Sequence, residues 1–184
     1  MNITRLDDEK IGFLRNTIRQ SIKEIYAPAH EYSTSASPLG NLSAIKLIME
    51  DGTAVFFSAG AIELAEQVEV FLLEVTTSLE LSYYPGGPLV AWLPIVNLSK
   101  RFNGLEIEHF RILSASWAIT IGSDAEIHYG NSPRFLRYDG SGGADTYNIE
   151  DGVMLFCSDG QSLTISTVNS LAGALNILCS EGRS

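Results

Sequence analysis

Ile45-Lys-Leu-Ile-Met-Glu-Asp-Gly-Thr-Ala-Val-Phe-Phe-Ser58 and Val153-Met-Leu-Phe-Cys-Ser-Asp-Gly-Gln-Ser-Leu-Thr-Ile-Ser-Thr167 share one layout: an apolar run, an Asp-Gly pair, a second apolar run. Asp-Gly between two such runs signals a hairpin, because Gly takes positive φ without steric cost. With the two Asp-Gly pairs superposed, Ile45, Leu47, Ile48, Met49, Val55 and Phe57 fall on Val153, Leu155, Phe156, Cys157, Leu163 and Ile165. Each hairpin is followed by a further apolar strand, and Val68-Glu69-Val70 is matched to Leu175-Asn176-Ile177. The pattern reads as a repeat of a three-strand unit, covering residues 42–84 and 147–180.

Outward from these hairpins, the chain divides into a helical start and a run of short extended pieces. Ile11, Leu14, Ile18, Ile22 and Ile25 recur at spacings of three and four. That spacing lines one helix face and predicts an amphipathic helix over 7–26, the only helix in segment 1–27. Asp7 or Asp8 can cap its start and Pro28 ends it. Residues 27–41, rich in Ser, Ala and Pro, read as a linker. Residues 88–138 read as middle strands, with pieces at Leu89–Leu93, Leu105–Leu113, Ser116–Ile121, Glu126–Tyr129 and Phe135–Tyr138. A competing layout places further helices at Ala61–Gln67 and Val96–Phe102. The expected fold is α+β, mostly antiparallel: one N-terminal helix and about ten short strands in one domain spanning 1–184.

The chain has 184 residues, 22 acids against 12 bases, a net charge of −10 and 45% hydrophobic residues. There is ample apolar material for a core, which excludes intrinsic disorder. The acidity argues against nucleic acid as a partner, since phosphate backbones are repelled, and favours a cationic protein. The charge is uneven. No Lys or Arg stands between Lys46 and Lys100, or between Arg137 and Arg183, while both stretches carry acids. No apolar run reaches the roughly 18 residues of a spanning helix, so no membrane is expected as a partner. The first residues lack the apolar centre of a secretory leader, and only two cysteines occur, so a cytoplasmic setting is expected.

Chemistry has little to stand on. Asp124, Glu126 and His128, two apart on an extended segment, share a strand face, and His109 could join them from a neighbouring strand. Carboxylate and imidazole suit a metal- or carboxylate-dependent hydrolase, although no His-Glu-x-x-His or Cys-x-x-Cys pattern accompanies them. Cys157 and Cys179 lie in apolar strands, where a thiol packs as a small hydrophobe. Asp139–Glu150 is glycine-rich and has acids at its first, seventh and twelfth positions. It lacks the lysine of a phosphate loop and the central glycine of a calcium loop, so it reads as a connector.

These readings converge on a non-catalytic acidic protein-binding domain, of an inhibitor or immunity type, that neutralises a basic protein and needs no cofactor. The acids Glu50, Asp51, Glu150, Asp151 and Asp159, at hairpin tips or strand entries, are the expected contacts, with Trp92 and Tyr84 as anchors. The alternatives are the hydrolase using His109, Asp124, Glu126 and His128, and a structural subunit of a homo-oligomer.

Overall fold

Both Asp-Gly pairs close hairpins in the computed structural model, which describes residues 2–4, 6–29, 40–65, 68–78, 91–121, 126–129, 132–135, 143–168 and 174–181. Thirteen strands and two helices are found among the described residues. They are β1 (Asn2–Thr4), α1 (Asp8–Thr17), β2 (Ile22–Pro28), β3 (Gly40–Leu42), β4 (Ala44–Met49), β5 (Ala54–Ala65), β6 (Val68–Ser78) and β7 (Trp92–Pro94). Then follow α2 (Val96–Phe102), β8 (Ile107–Ile121), β9 (Glu126–Tyr129), β10 (Ser132–Phe135), β11 (Gly143–Cys157), β12 (Ser162–Val168) and β13 (Ala174–Ser180).

The strands form two sheets, in the orders β6-β5-β4-β2-β7 and β10-β9-β8-β11-β12-β13-β3. All pairs on these paths are antiparallel, as expected; β1 adds to β11 in parallel. One apolar cluster draws on both sheets and both helices: Leu14 of α1, Leu98 and Phe102 of α2, Leu47 and Phe57 of the first sheet, Leu155 and Ile165 of the second. The Thr167 hydroxyl donates to the Phe71 carbonyl at 2.9 Å and ties β12 to β6. Asp7 caps α1 by accepting the Lys10 N–H at 2.8 Å, and the Lys10 ammonium reaches the Glu74 carboxylate of β6 at 2.8 Å.

The two halves of the chain carry the same register. Ile45 pairs with Phe57 and Leu47 with Val55; in the second half Val153 pairs with Ile165 and Leu155 with Leu163. On the next ladder Phe57 faces Val75 and Ile165 faces Ile177. The counterpart of Leu175-Asn176-Ile177 is therefore Leu73-Glu74-Val75, not Val68-Glu69-Val70, because β5 and β6 run further past their shared register than β12 and β13 do. The correspondence also reaches upstream, with Ile22 falling on Ile107. Arg19 and Gly104 both stand in the left-handed region, at φ 68° and 76°. The two helix–strand turns bond each other reciprocally. Arg19 N–H donates to Ile107 C=O and Gly104 N–H to Ile22 C=O, at 2.8 and 2.7 Å; Ile22 N–H donates to Leu105 C=O and Ile107 N–H to Gln20 C=O, at 3.0 and 2.9 Å. A non-glycine residue at positive φ carries a strain of about 1 kcal/mol, so Arg19 holds a position that Gly104 occupies without cost.

Several expectations change. The helix read over 7–26 stops at Thr17, and Ile22 and Ile25 belong to β2. Their three-residue spacing comes from a bulge: Ile22 pairs with Met49 and Glu24 with Ile48, so Lys23 is an extra residue and both isoleucines face the core. Ala27 and Pro28, taken as linker, end that strand, and Gly40–Leu42 is a strand; residues 30–39 lie outside the described ones. Ala61–Ala65 extends β5, so no helix forms there. Val96–Phe102 is helical within the expected middle strands, burying Leu98 and Phe102 four residues apart. The pieces 105–113 and 116–121 merge into β8. Gly143–Glu150 of the expected connector is strand, paired along β8. Leu79–Tyr84, Leu89–Val90 and residues 136–142 lie outside the described residues.

Candidate functional site

Each Asp-Gly turn is built from the same bonds. Met49 N–H donates to Thr53 C=O and Gly52 N–H to Met49 C=O, at 2.8 and 3.0 Å, while the Asp51 carboxylate accepts Thr53 N–H at 2.8 Å. In the second turn Cys157 N–H donates to Gln161 C=O, Gly160 N–H to Cys157 C=O and Gln161 N–H to the Asp159 carboxylate, each at 2.9 Å. Gly52 and Gly160 take φ of 87° and 82°, which a side chain would resist. The Gln161 side-chain amide also donates to Asp159 and holds its carboxyl below the usual range.

The paired helix–strand turns lie between these tips. Glu50 N–H donates to Ser21 C=O at 3.0 Å, Ser21 bridges to Glu106, and Ser158 N–H donates to Glu106 C=O at 2.9 Å. Glu50, Ser21, Glu106 and Ser158 therefore form one row across the end of the molecule, with Asp51 and Asp159 at its two flanks. Glu50, Asp51, Glu106 and Asp159 are all exposed. Arg19 and Lys23, also exposed, lie on the same end, and Arg101 is held by Gln161 and the Ser180 carbonyl. The end has an acidic excess rather than a uniform charge.

Three of the five expected acids thus come together, and two do not. Glu150 and Asp151 sit at a bulge of β11, about 20 Å of strand from Cys157 at the head of the turn. Glu150 is half-buried and accepts Leu6 N–H at 2.8 Å. Asp151, also half-buried, is pushed up to about 6 by burial, against its own backbone N–H bond. Its unfolded value is near 3.8, so the folded chain holds this proton more tightly between those values. Stability is expected to fall as pH rises from about 4 to about 6. Asp151→Asn should be more stable than the parent at pH 7 and indistinguishable near pH 3, measured by urea unfolding at both.

Trp92 is a half-buried contact, not a free anchor. Its ring lies 5.7 Å from Phe56, and the Lys46 ammonium sits 4.7 Å over both the Trp92 and Tyr26 rings. Lys46 is only 3% exposed, and burial pulls it down to about 8. The Tyr26 hydroxyl donates to Glu24 at 2.6 Å, which pushes it up to about 12. Tyr84 lies outside the described residues.

Among the described hydrolase residues, His109 is not brought beside Glu126 and His128, which share β9. His109 stands on β8 opposite Phe156, its exposed ring stacked on that phenyl at 4.3 Å. His128 pairs with Ala118, further along β8, so about 30 Å of strand separates the two positions. Glu126 pairs with Phe135, and Asp124 lies outside the described residues. Burial pushes the Cys157 thiol up to about 11 and raises Cys179, which suppresses thiolate chemistry at both. Among the described residues no three His, Cys, Asp or Glu side chains converge on a metal position, and no helix is long and apolar enough to cross a membrane.

Reading the turns from sequence finds Glu50, Asp51 and Asp159. It misses Glu106, which reaches the row only because the two helix–strand turns pair. The chain matches no family model, no curated protein and no solved structure.

Proposed function

We propose that the chain is a non-catalytic protein-binding domain that holds a basic partner against the end where its four turns meet. One observation carries this reading: the hydrogen-bonded row Glu50-Ser21-Glu106-Ser158, flanked by Asp51 and Asp159, which gathers four exposed acids at one end, three on the hairpin tips and Glu106 at a helix–strand turn. The net charge of −10 supports it, since long-range attraction raises the encounter rate with a cation and rejects acidic competitors. An inhibitor or immunity-type protein acting in the cytoplasm fits this surface, because a basic enzyme is neutralised when its cationic face is covered. The shared registers of the two halves fit a duplication, and such a duplication supplies both acidic tips at once.

The test is a matched pair of double variants with the same charge change. Asp51→Lys with Asp159→Lys alters the row; Asp8→Lys with Glu9→Lys alters the exposed start of α1. Partners are captured on immobilised chain from the native cell extract, and association is timed at low and high salt. The first pair should slow association with the captured partner by about tenfold or more at low salt, while the second changes it little. Equal effects from both pairs, or a rate indifferent to salt, would remove the turn end as the recognition surface.

A further inference from the structure

The register makes β8 the counterpart of β2. Ile22, Glu24, Ile25 and Tyr26 pair with Met49, Ile48, Leu47 and Lys46; Ile107, His109, Phe110 and Arg111 pair with Cys157, Phe156, Leu155 and Met154. Both ladders skip one residue at the same place, Lys23 in β2 and Glu108 in β8. The far sides of the two strands differ. β7 closes that of β2, with Tyr26 opposite Pro94, Ala27 opposite Leu93 and Pro28 opposite Trp92. Ala29 N–H donates to Ala91 C=O and Ile95 N–H to Ile25 C=O, both at 2.8 Å.

On β8 no strand among the described residues takes the place of β7. β9 joins β8 only at Ala118 and Ile119, beyond this stretch. Hydrogen bonding alternates along an antiparallel strand, so the groups that Ile25 turns toward Ile95 and the Ser99 hydroxyl of α2, and Ala27 toward Leu93 of β7, correspond to those of Phe110 and Ile112. These point away from β11, and no described residue bonds them. Arg111 and Ser114 are exposed; Phe110 and Ile112 are half-buried. Among the described residues this edge is uncovered for about 20 Å, from Glu108 to Ser114, and an edge of that length is a template for another strand.

We infer that β8 is completed by an extended segment of a partner protein, running antiparallel to it and carrying a bulky aromatic residue where Trp92 stands beside β2. The chain's own β7 shows the chemistry of the occupant. Trp92 covers Lys46 and Phe56, whose counterparts across the second sheet are Met154 and Thr164. An aromatic ring opposite Leu113 meets the Met154 thioether and the exposed Arg111 guanidinium, both favourable neighbours for a π face. A second copy of this chain is the poorer occupant, since two bodies of net charge −10 repel. This edge is separate from the acidic turn end and does not depend on it.

The probe is a synthetic peptide with the sequence of residues 89–97, Leu-Val-Ala-Trp-Leu-Pro-Ile-Val-Asn. It is titrated into the isotope-labelled full chain while backbone amide shifts are followed. Saturable shifts confined to the stretch from Glu108 to Ser114 are expected below about 1 mM peptide. A peptide with Ala in place of its Trp should bind about tenfold more weakly. N-methylation of the peptide nitrogen at the position of Leu93 removes the N–H aimed at Ile112 C=O and should abolish binding, with the chain itself unaltered. Ile112→Pro in the chain should do the same, because it deletes the outward donor of the edge. Absence of saturable shifts, shifts centred elsewhere, or undiminished binding of the methylated peptide overturns the inference. So does a free chain that sediments as a dimer dispersed by Ile112→Pro, since the edge is then filled by a second copy.

Discussion

Phe57→Ala is expected to destabilise the fold by about 3–5 kcal/mol, read as a lowered urea midpoint with an unchanged slope. Phe57 is fully buried on β5, between Ile45 of β4 and Val75 of β6, in the cluster that joins both sheets. Its removal withdraws a large apolar surface from the core and leaves a hole. The neighbours cannot close that hole freely, because the backbone ladders on both sides fix their Cα positions. A loss of this size is a large share of the roughly 5–15 kcal/mol typical of a domain, so the variant should lie near its unfolding limit. The counterpart Ile165, flanked by Val153 and Ile177, gives an internal comparison. Ile165→Ala removes fewer atoms from the same core layer and should cost about 2–5 kcal/mol, less than its partner in the other half. A Phe57→Ala loss below about 1 kcal/mol would show that the two sheets do not share the core described.

The hairpins were legible because two local signals coincide in them, Asp-Gly at the tip and alternating apolar residues in the arms. Where one signal stood alone, the reading failed. Ile18, Ile22 and Ile25 keep a helical spacing, yet β2 produces the same inward pattern by bulging at Lys23, and nothing in a single sequence marks that bulge. The match of Val68-Glu69-Val70 to Leu175-Asn176-Ile177 failed for a related reason, since apolar triplets recur along β6 and only the ladder says which one faces Phe57. Among the acids, those on turns were legible as exposed. Glu150 and Asp151 looked equivalent to them because they precede a strand by sequence, whereas they sit at a bulge inside a long one. The place of Glu106 in the row, and the stretch of β8 that no described strand covers, arise from how the two halves of the chain meet, which no local pattern encodes.

That second bulge underlies the other large effect. Gly152→Ala is expected to cost about 1–3 kcal/mol, and Gly152→Val more. A Cβ at Gly152 would lie 2.7 Å from Ser166 Cβ, 3.0 Å from Ile165 O and 3.1 Å from Ser166 Cα. Two of these three are backbone atoms of the paired strand, so no rotamer change relieves the clash. Gly152 is not among the residues at positive φ, so the requirement is for space and not for conformation. Its counterpart Ala44 carries a Cβ while facing Ser58 in the same register. The difference lies in β11, whose pairing with β8 shifts between Glu150 and Gly152. Such a shift bends the strand and sharpens its twist, which draws the following residue toward its neighbour. Widening that approach would strain the ladders that β11 makes on both sides. Gly12 of α1 is the control, because a Cβ there meets nothing within 4 Å. Gly12→Ala should gain about 0.5–1 kcal/mol by favouring the helix. Urea midpoints should therefore fall in the order Gly12→Ala, parent, Gly152→Ala, Gly152→Val. A Gly152→Ala midpoint equal to the parent's would mean that β11 relaxes at the bulge, and that the close approach of the two strands is not a requirement of the fold.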